Sequence, residues 1–433
     1  MTTAATIRQR VEDDIAQGRL SSGDRLPAAR SLADELGVSP NTVAAAYKQL
    51  RARGVVLGRG RQGTVVAPQT RPAQSQVEVV GEGLIDALTG SPDPDLLPDL
   101  APGLAAACTG SHVRYGDPLL DPHFEHVIRA WFADDGVDAN HLTATSGAMD
   151  AIAKILSSNE LRRGDRIGVE DPGHVPVHQL VRAAGLEPIA VPVDAEGVTP
   201  SGLGAALEIG LKALIVTPRA HNPTGAAFTQ RRTKELDSIL RKSTDLLLIQ
   251  DDHAGEVSGA ALRLLTPPGP RHATIRSLGK LLGPDLRISV TVGDQRTVEG
   301  VAMLVSNGPG WVSHLLQRAA AHLMDDQNVR EQLVTTAQTY SSRRERLIAA
   351  LHDGGVQAWG PSGLNVWIPV GDEQAAVSAA QRAGYAIRAA GRYRLSSPPA
   401  VRVTISMLDD DQIDELSRAL IEYELGPRRA PAI

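Results

Sequence analysis

A lysine stands in the run Ser277-Leu-Gly-Lys280, and Gly283-Pro-Asp-Leu-Arg287 follows it. Most lysines are solvated surface charges. One between a hydroxyl and an arginine can instead be an amine placed beside an anion pocket. Leu246-Leu-Leu-Ile-Gln-Asp251-Asp252 puts carboxylates just past an apolar run that reads as a buried strand, where open α/β sheets bind ligands. Ala220-His221-Asn222-Pro223-Thr224-Gly225 sets an amide in a rigid turn beyond another strand end. Glu170-Asp-Pro-Gly-His174 offers an imidazole that can stack on a ring, and Thr145-Ser146-Gly147-Ala148 precedes an apolar helix. The first amides of a helix can hold an anion. The last two motifs are weak alone, because small residues before a helix are usually a cap and loop histidines usually face solvent.

Amine, carboxylate, amide donor, stacking group and anion pocket are together what pyridoxal phosphate requires. The lysine forms a Schiff base, and the carboxylate keeps the pyridine nitrogen protonated so that the ring can act as an electron sink. From about Ile85 onward the chain resembles the fold type I, aspartate-aminotransferase superfamily. The resemblance implies Lys280 as the Schiff-base lysine, Asp251 on the pyridine nitrogen, Asn222 on the phenolic oxygen and His174 as the stacking group. It implies Ser146, Gly147, Ala148, Ser277 and Arg287 on the phosphate. Tyr115, in Tyr-Gly-Asp-Pro, would reach the phosphate of a neighbouring subunit. Arg402, in Val-Arg-Val-Thr-Ile-Ser, would take a substrate carboxylate, which suits a guanidinium fork. His253 stands where the superfamily usually has a tyrosine and is counted with the cofactor residues; Gly279 replaces a usual serine and Leu120 a usual glycine.

These residues need a rigid frame. Short apolar runs around Val169 and at 189–193, 213–216 and 246–249 alternate with helical stretches, which predicts an α/β fold with a mostly parallel sheet covered on both faces. From Arg343 the pattern predicts a smaller α+β unit, closing on a helix near 411–423.

The first residues read differently. Ile7, Val11 and Ile15 recur at helical spacing, a second short helix spans 30–36, and Gly37 breaks it. Ser39 is a good N-cap with Pro40 at the first helical position, and a third helix runs through Thr42, Ala46 and Leu50 to about Arg53. Residues 55–57 and 64–67, around a Gly-Arg-Gly-Arg-Gln-Gly turn, predict a two-stranded wing. The whole chain is mildly acidic, with 44 Lys+Arg against 50 Asp+Glu. Nucleic-acid binding must therefore come from a local patch, and Lys48, Arg51, Arg53, Arg59 and Arg61 supply one without an intervening acid. Residues 5–67 closely resemble the GntR family of winged helix-turn-helix regulators. The resemblance implies DNA contacts from Arg30, Ser39, Asn41, Thr42, Arg59, Gly60 and Arg61. Pro40 and Ala44 stand where that family often has arginine, so much of the affinity is expected from phosphate contacts.

The expected organisation is a DNA-binding domain at 1–67, a polar linker at 68–83 and a pyridoxal-phosphate domain at 84–433. A GntR-type head on an aminotransferase-like body is the layout of the MocR regulators. The expected function is a dimeric, pyridoxal 5'-phosphate-dependent transcription regulator that binds a double-stranded operator and senses an amino compound or the cofactor itself. A working aminotransferase with an accessory head is the alternative. The lone Cys108 allows no internal disulfide, no apolar run approaches a membrane span, and a cytoplasmic location is expected, with no metal site.

Overall fold

The computed structural model describes residues 3–16, 19–20, 23–52, 55–58, 63–66, 80–110 and 112–425. The chain divides into two compact units, 1–77 and 78–433.

The first unit is built from α1 (Ala4–Ala16), α2 (Ala29–Leu36), α3 (Pro40–Ala52), β1 (Val56–Gly58) and β2 (Thr64–Val66). Its core is Ile7, Val11 and Ile15 of α1 against Ala33 of α2 and Val43, Ala46, Tyr47 and Leu50 of α3. The buried stripe of α3 is Val43, Ala46, Tyr47 and Leu50. Gly37 ends α2 at φ 63°, a left-handed turn that glycine adopts without a Cβ penalty. The Ser39 hydroxyl accepts the Thr42 N–H at 3.2 Å and so caps α3. Tyr47 donates to Pro27 O at 2.9 Å, tying the approach to α2 onto α3. β1 and β2 pair antiparallel as the stem of the wing.

The second unit carries strands β3 (Ile85–Asp86), β4 (Leu142–Thr145), β5 (Arg166–Asp171), β6 (Glu187–Asp194), β7 (Gly197–Val198), β8 (Ala213–Val216), β9 (Leu247–Asp252), β10 (His272–Ser277), β11 (Ser289–Gly293), β12 (Asn365–Pro369), β13 (Tyr385–Ala386), β14 (Arg388–Ala389) and β15 (Ala400–Thr404). Eight of them form one sheet in the order β4-β11-β10-β9-β8-β5-β6-β7. β10, β9, β8, β5 and β6 run parallel, while β11 is antiparallel to both its neighbours. Alternate side chains serve opposite faces: Ile215, Leu247 and Ile249 pack with Ile152 and Ile155 of the helix Ala148–Ser158. Leu214, Val216 and Leu248 pack with Leu236 and Leu240 of the helix Gln230–Leu240. Strands covered on both faces explain the continuous apolar runs in the sequence. From β5 the strand order turns both ways, to β6 on one side and β8 on the other. That reversal opens a crevice at the carboxyl ends of the strands.

The smaller unit has β12, β15 and β14 in an antiparallel sheet, and β13 pairs with β3 from the start of the body. Its expected boundary at Arg343 is corrected. Arg343 lies inside the helix Gln327–Asp353, whose buried row Thr336, Tyr340, Arg344, Leu347 and Leu351 passes straight through it. The polar run around Arg343 changes composition without breaking the helix, since no glycine or proline occurs before Gly354. The last helix is Asp410–Leu425. Among the described residues, no helix is long and apolar enough to cross a membrane.

Candidate functional site

The crevice is a cleft of about 280 Å³ whose lining includes His174, Asn222, Asp251, His253, Ser277 and Lys280. Asp251 and Asp252 end β9, and neighbouring residues of a strand point to opposite sides. Asp252 turns away from the cleft. Its two oxygens accept Arg219 Nε and NH2 at 2.7 and 2.8 Å, and Oδ2 also accepts Arg276 Nε at 2.9 Å. Burial alone would raise its pKa, but the two guanidiniums hold it below the usual carboxylate range. Asp251 faces the cleft and is 6% exposed, and its Oδ1 is buried without a hydrogen-bond partner. Burial first, then the charges of Asp252 and Glu170, pushes its pKa up to about 7. A buried carboxylate oxygen with no donor is costly. Asp251 is therefore shaped to receive a donor from a molecule in the cleft.

His174 precedes the helix Val175–Ala183. Burial, then His253, Arg402 and Lys280, brings its pKa down to about 3, so the ring is neutral. Its Nδ1 can then accept Asn222 Nδ2, 3.1 Å away, while Asn222 Oδ1 accepts Arg402 NH1 at 3.0 Å. Arg402 also donates through NH2 to Leu88 O and lies over the Tyr393 ring at 5.3 Å. His253, likewise neutral with a pKa near 4 from burial and from Lys280, donates through Nε2 to Ala220 O at 3.0 Å. Lys280 Nζ donates to Gly90 O. Burial and then Arg402 lower its pKa to about 8, which leaves part of the amine neutral, and the neutral amine is the nucleophile.

At the other end, Arg287 NH2 reaches Ser146 O at 3.2 Å. The backbone at Gly147 has φ 98°, which favours glycine, and a Cβ there would stand 2.4 Å from that same NH2, so Arg287 would have to shift. Ala148 and Ser277 line the cleft beside Arg287. The expectation that the Ser146 amide is free is corrected: it donates to Asp150 Oδ2 at 3.0 Å. Asp150 sits in the first turn of the helix, where a carboxylate is favoured.

Tyr115 is not among the residues of its own cleft. It is 95% exposed and stands edge-on to Trp311. In the first unit Arg30, Ser39 and Asn41 are exposed and Thr42 is half-buried. Arg59, Gly60 and Arg61 lie outside the described residues.

Two acids of the Glu-Asp-Pro-Gly-His motif had no assigned role in the sequence. Glu170 accepts Thr217 N and Oγ1 at 3.0 and 2.9 Å and lines the cleft near Asp251. Asp171 accepts the N–H groups of Leu395, Ser396 and Ser397 at 2.8, 2.8 and 3.0 Å, fastening that loop to the one that carries His174. Their adjacency to His174 was visible in the sequence; partners 47 positions away for Glu170 and 224–226 positions away for Asp171 were not.

The donor set fits the group inferred from the sequence. It has an amine with a lowered pKa, an orphaned carboxylate oxygen, an orienting amide and a glycine packed against an arginine. The chain matches the family described as aminotransferase class I and II over residues 86–420, and the bacterial regulatory proteins of the GntR family over residues 3–66. It is 35% identical over 418 residues to the vitamin B6 salvage pathway transcriptional repressor PtsJ of Salmonella typhimurium, covering 96% of this chain and 97% of that one. It is 30% identical over 271 residues to the pyridoxine biosynthesis transcriptional regulator PdxR of Corynebacterium glutamicum, covering 59% and 56%. Among solved structures, the kynurenine aminotransferase of Pyrococcus horikoshii superposes with a TM-score of 0.73 at 20% identity over 81% of this chain and 93% of that one, a likeness of fold.

Proposed function

The chain belongs to the GntR-headed transcription regulators with an aminotransferase class I and II body, and from that premise we propose that it holds pyridoxal phosphate on Lys280 and reports the cofactor's supply to an operator. The observation that carries the cofactor assignment is Asp251, whose buried Oδ1 lacks a donor in the cleft that holds Lys280. The vitamin B6 theme in the names of PtsJ and PdxR supports the cofactor itself as the sensed molecule.

When bound, the cofactor supplies an aldehyde that takes up an amine and a ring that withdraws electrons from it. The protein's residues do the rest. Lys280 presents its amine, Asp251 offers a carboxylate oxygen to a protonated ring nitrogen, and Asn222 keeps one amide proton beyond the one given to His174. Arg287, Ser277 and the turn at Gly147 would hold the phosphate. Arg402, now spent on Asn222 and Leu88 O, is the cation that an incoming carboxylate would meet. Tyr115, exposed and resting edge-on against the half-buried Trp311, supports a second copy of the chain as the partner at that edge.

The test is operator affinity of purified protein, stripped and reloaded with pyridoxal phosphate. Loading is expected to change it by roughly 5–150-fold, the usual range of allosteric coupling. An affinity that ignores the cofactor defeats the proposal. Deleting residues 1–71 separates it from the alternative of a working aminotransferase. The truncated body is expected to keep its visible cofactor band, lose operator binding and show no sustained turnover of amino acids; steady turnover would favour the enzyme.

A second expectation concerns the DNA face. Arg30 and Lys48 are both exposed. Each phosphate contact releases counterions, so Arg30→Ala combined with Lys48→Ala should flatten the slope of log affinity against log salt by roughly 0.9 per lost contact. Binding to operator and random DNA should weaken alike. Loss of discrimination at an unchanged slope would mean that these residues read bases.

A further inference from the structure

The turn that carries Asn222 is held from behind. Ala220 opens it at φ 53°, a left-handed conformation that a residue with a Cβ keeps only where its surroundings fix it. Here both ends of the residue are tied. Its N–H donates to Ser362 Oγ at 2.7 Å, and its carbonyl accepts His253 Nε2 at 3.0 Å. The Ser362 hydroxyl donates to Gly225 O at 3.0 Å, and the Ser362 N–H reaches the same oxygen at 2.9 Å. One wholly buried serine thus joins the start of the turn to its end. Ser362 is itself fixed by a buried cation. Arg344, in the helix Gln327–Asp353, is 3% exposed and donates through NH1 to Gly363 O at 2.9 Å and through NH2 to Pro361 O at 3.3 Å. Among the described residues its donors reach these carbonyls and the Ser341 hydroxyl, not a carboxylate. Burial brings its pKa down to about 10. A guanidinium buried in this way is costly, and its contacts serve to place residues 361–363. The Gly363 N–H donates to Ser258 O at 2.7 Å, and a Cβ on Gly363 would stand 2.5 Å from the Cβ of Ala220, so loop and turn are in close contact. Neither Ser362 nor Arg344 lines the cleft.

We propose that Ser362, fixed by Arg344, is the positioning residue that aims the Asn222 amide at the phenolic oxygen of the cofactor. The proposal rests on the reading that the cleft binds pyridoxal phosphate with Asn222 at that oxygen. Ser362 acts through Asn222 and touches no ligand. The amide has little latitude of its own. Its Nδ2 is engaged with His174 Nδ1 at 3.1 Å, and its Oδ1 accepts Arg402 NH1 at 3.0 Å. The direction of the remaining amide proton is therefore set by where the backbone of the turn places residue 222. A hydrogen bond weakens steeply as its angle closes. Without the tie from Ser362, the peptide at Ala220 loses the acceptor that holds its left-handed conformation. The turn then rotates, and the bond from Asn222 to the cofactor weakens while the sheet and its helices stay in place.

A double-mutant cycle in the full-length protein tests this, read by pyridoxal phosphate affinity and by the visible band of the loaded protein. Ser362→Ala removes the hydroxyl and no atom of the cleft lining. It should weaken cofactor binding roughly five- to tenfold, the scale of one hydrogen bond, and move the band. In stripped protein it should raise hydrogen exchange at Ala220 several-fold. Asn222→Ala removes the amide that Ser362 aims. In that background Ser362→Ala should change cofactor affinity by less than about twofold and leave the band where Asn222→Ala alone puts it. Arg344→Lys keeps the charge and loses the planar fork, and it should give the same pattern. If Ser362→Ala does not fold, Arg344→Lys in the two backgrounds decides between the same outcomes. An equal loss of affinity with and without Asn222 overturns the proposal, because it marks a general support of the fold. Wild-type affinity and band in Ser362→Ala overturn it too. The cofactor reading survives both results. A wild-type protein that gains no band on loading defeats that reading, and this proposal with it.

Discussion

Lys280→Ala is expected to abolish the covalently held cofactor and its visible band while leaving the fold intact. The side chain makes one hydrogen bond, to Gly90 O, and its charge is disfavoured by burial. Removing it takes away a cost as well as a contact, so the change in stability should stay within ~1 kcal/mol. Borohydride reduction of the loaded wild type followed by peptide mapping should find the adduct on Lys280; an adduct on another lysine sinks the assignment. The lowered pKa also sets a pH dependence. Only the neutral amine attacks, so the rate of cofactor capture by stripped protein should rise with pH, with a midpoint near 8. The folded-state pKa lies below the ordinary 10.5, so the protonated form is penalised at low pH, and the penalty fades as pH rises from about 8 to 10.5. Stripped wild type should therefore gain stability relative to Lys280→Ala across that window.

Asp251→Asn and Asp252→Asn should fail in opposite ways although the residues are adjacent. Asp252 neutralises two buried arginines, and removing one member of such a network typically costs ~3–5 kcal/mol. Asp252→Asn should lower the melting temperature sharply, with or without cofactor. Among the described residues, Asp251 Oδ1 has no hydrogen-bond partner. Its folded pKa of about 7 stands above the ordinary 3.8, so wild-type stability is lost as pH rises through that interval. Asp251→Asn removes the penalty. Stripped Asp251→Asn should be more stable than wild type at pH 8 and nearly equal to it at pH 4. Cofactor affinity should fall roughly ten- to a hundredfold, corresponding to the ~1.5–3 kcal/mol of a hydrogen bond to a charged group. Thermal melts across pH and equilibrium dialysis measure both. If Asp252→Asn keeps the wild-type melting temperature and loses the cofactor, the two roles are reversed.

The alternation of apolar strands and helices, the winged head and the residues around the cleft were all legible in the chain, because each depends on local rules. Strand periodicity marked β5, β6, β8 and β9 to within a few residues. Ser39 before Pro40 marked the start of α3. Lys280, Asp251, Asn222 and His174 stand at strand ends and turns that announce themselves by composition. Their convergence follows from parallel strands delivering their carboxyl ends to one edge. The resemblance named Asp251 of the aspartate pair, and the tertiary structure supplied the physical reason: Arg219 and Arg276, 33 and 24 positions away, hold Asp252 in the interior. The tertiary structure alone showed that Asn222 is held between His174 and Arg402, that Asp171 fastens a loop beyond Leu395, and that the carbonyls of Leu88 and Gly90 occupy the site's cations. A backbone carbonyl has no residue type, so no sequence pattern can mark it as a ligand. Contacts between positions hundreds of residues apart are fixed by packing of the whole sheet, not by any local preference. For that reason the residue types of the cleft could be read from the chain, while the partners that hold each of them in place could not.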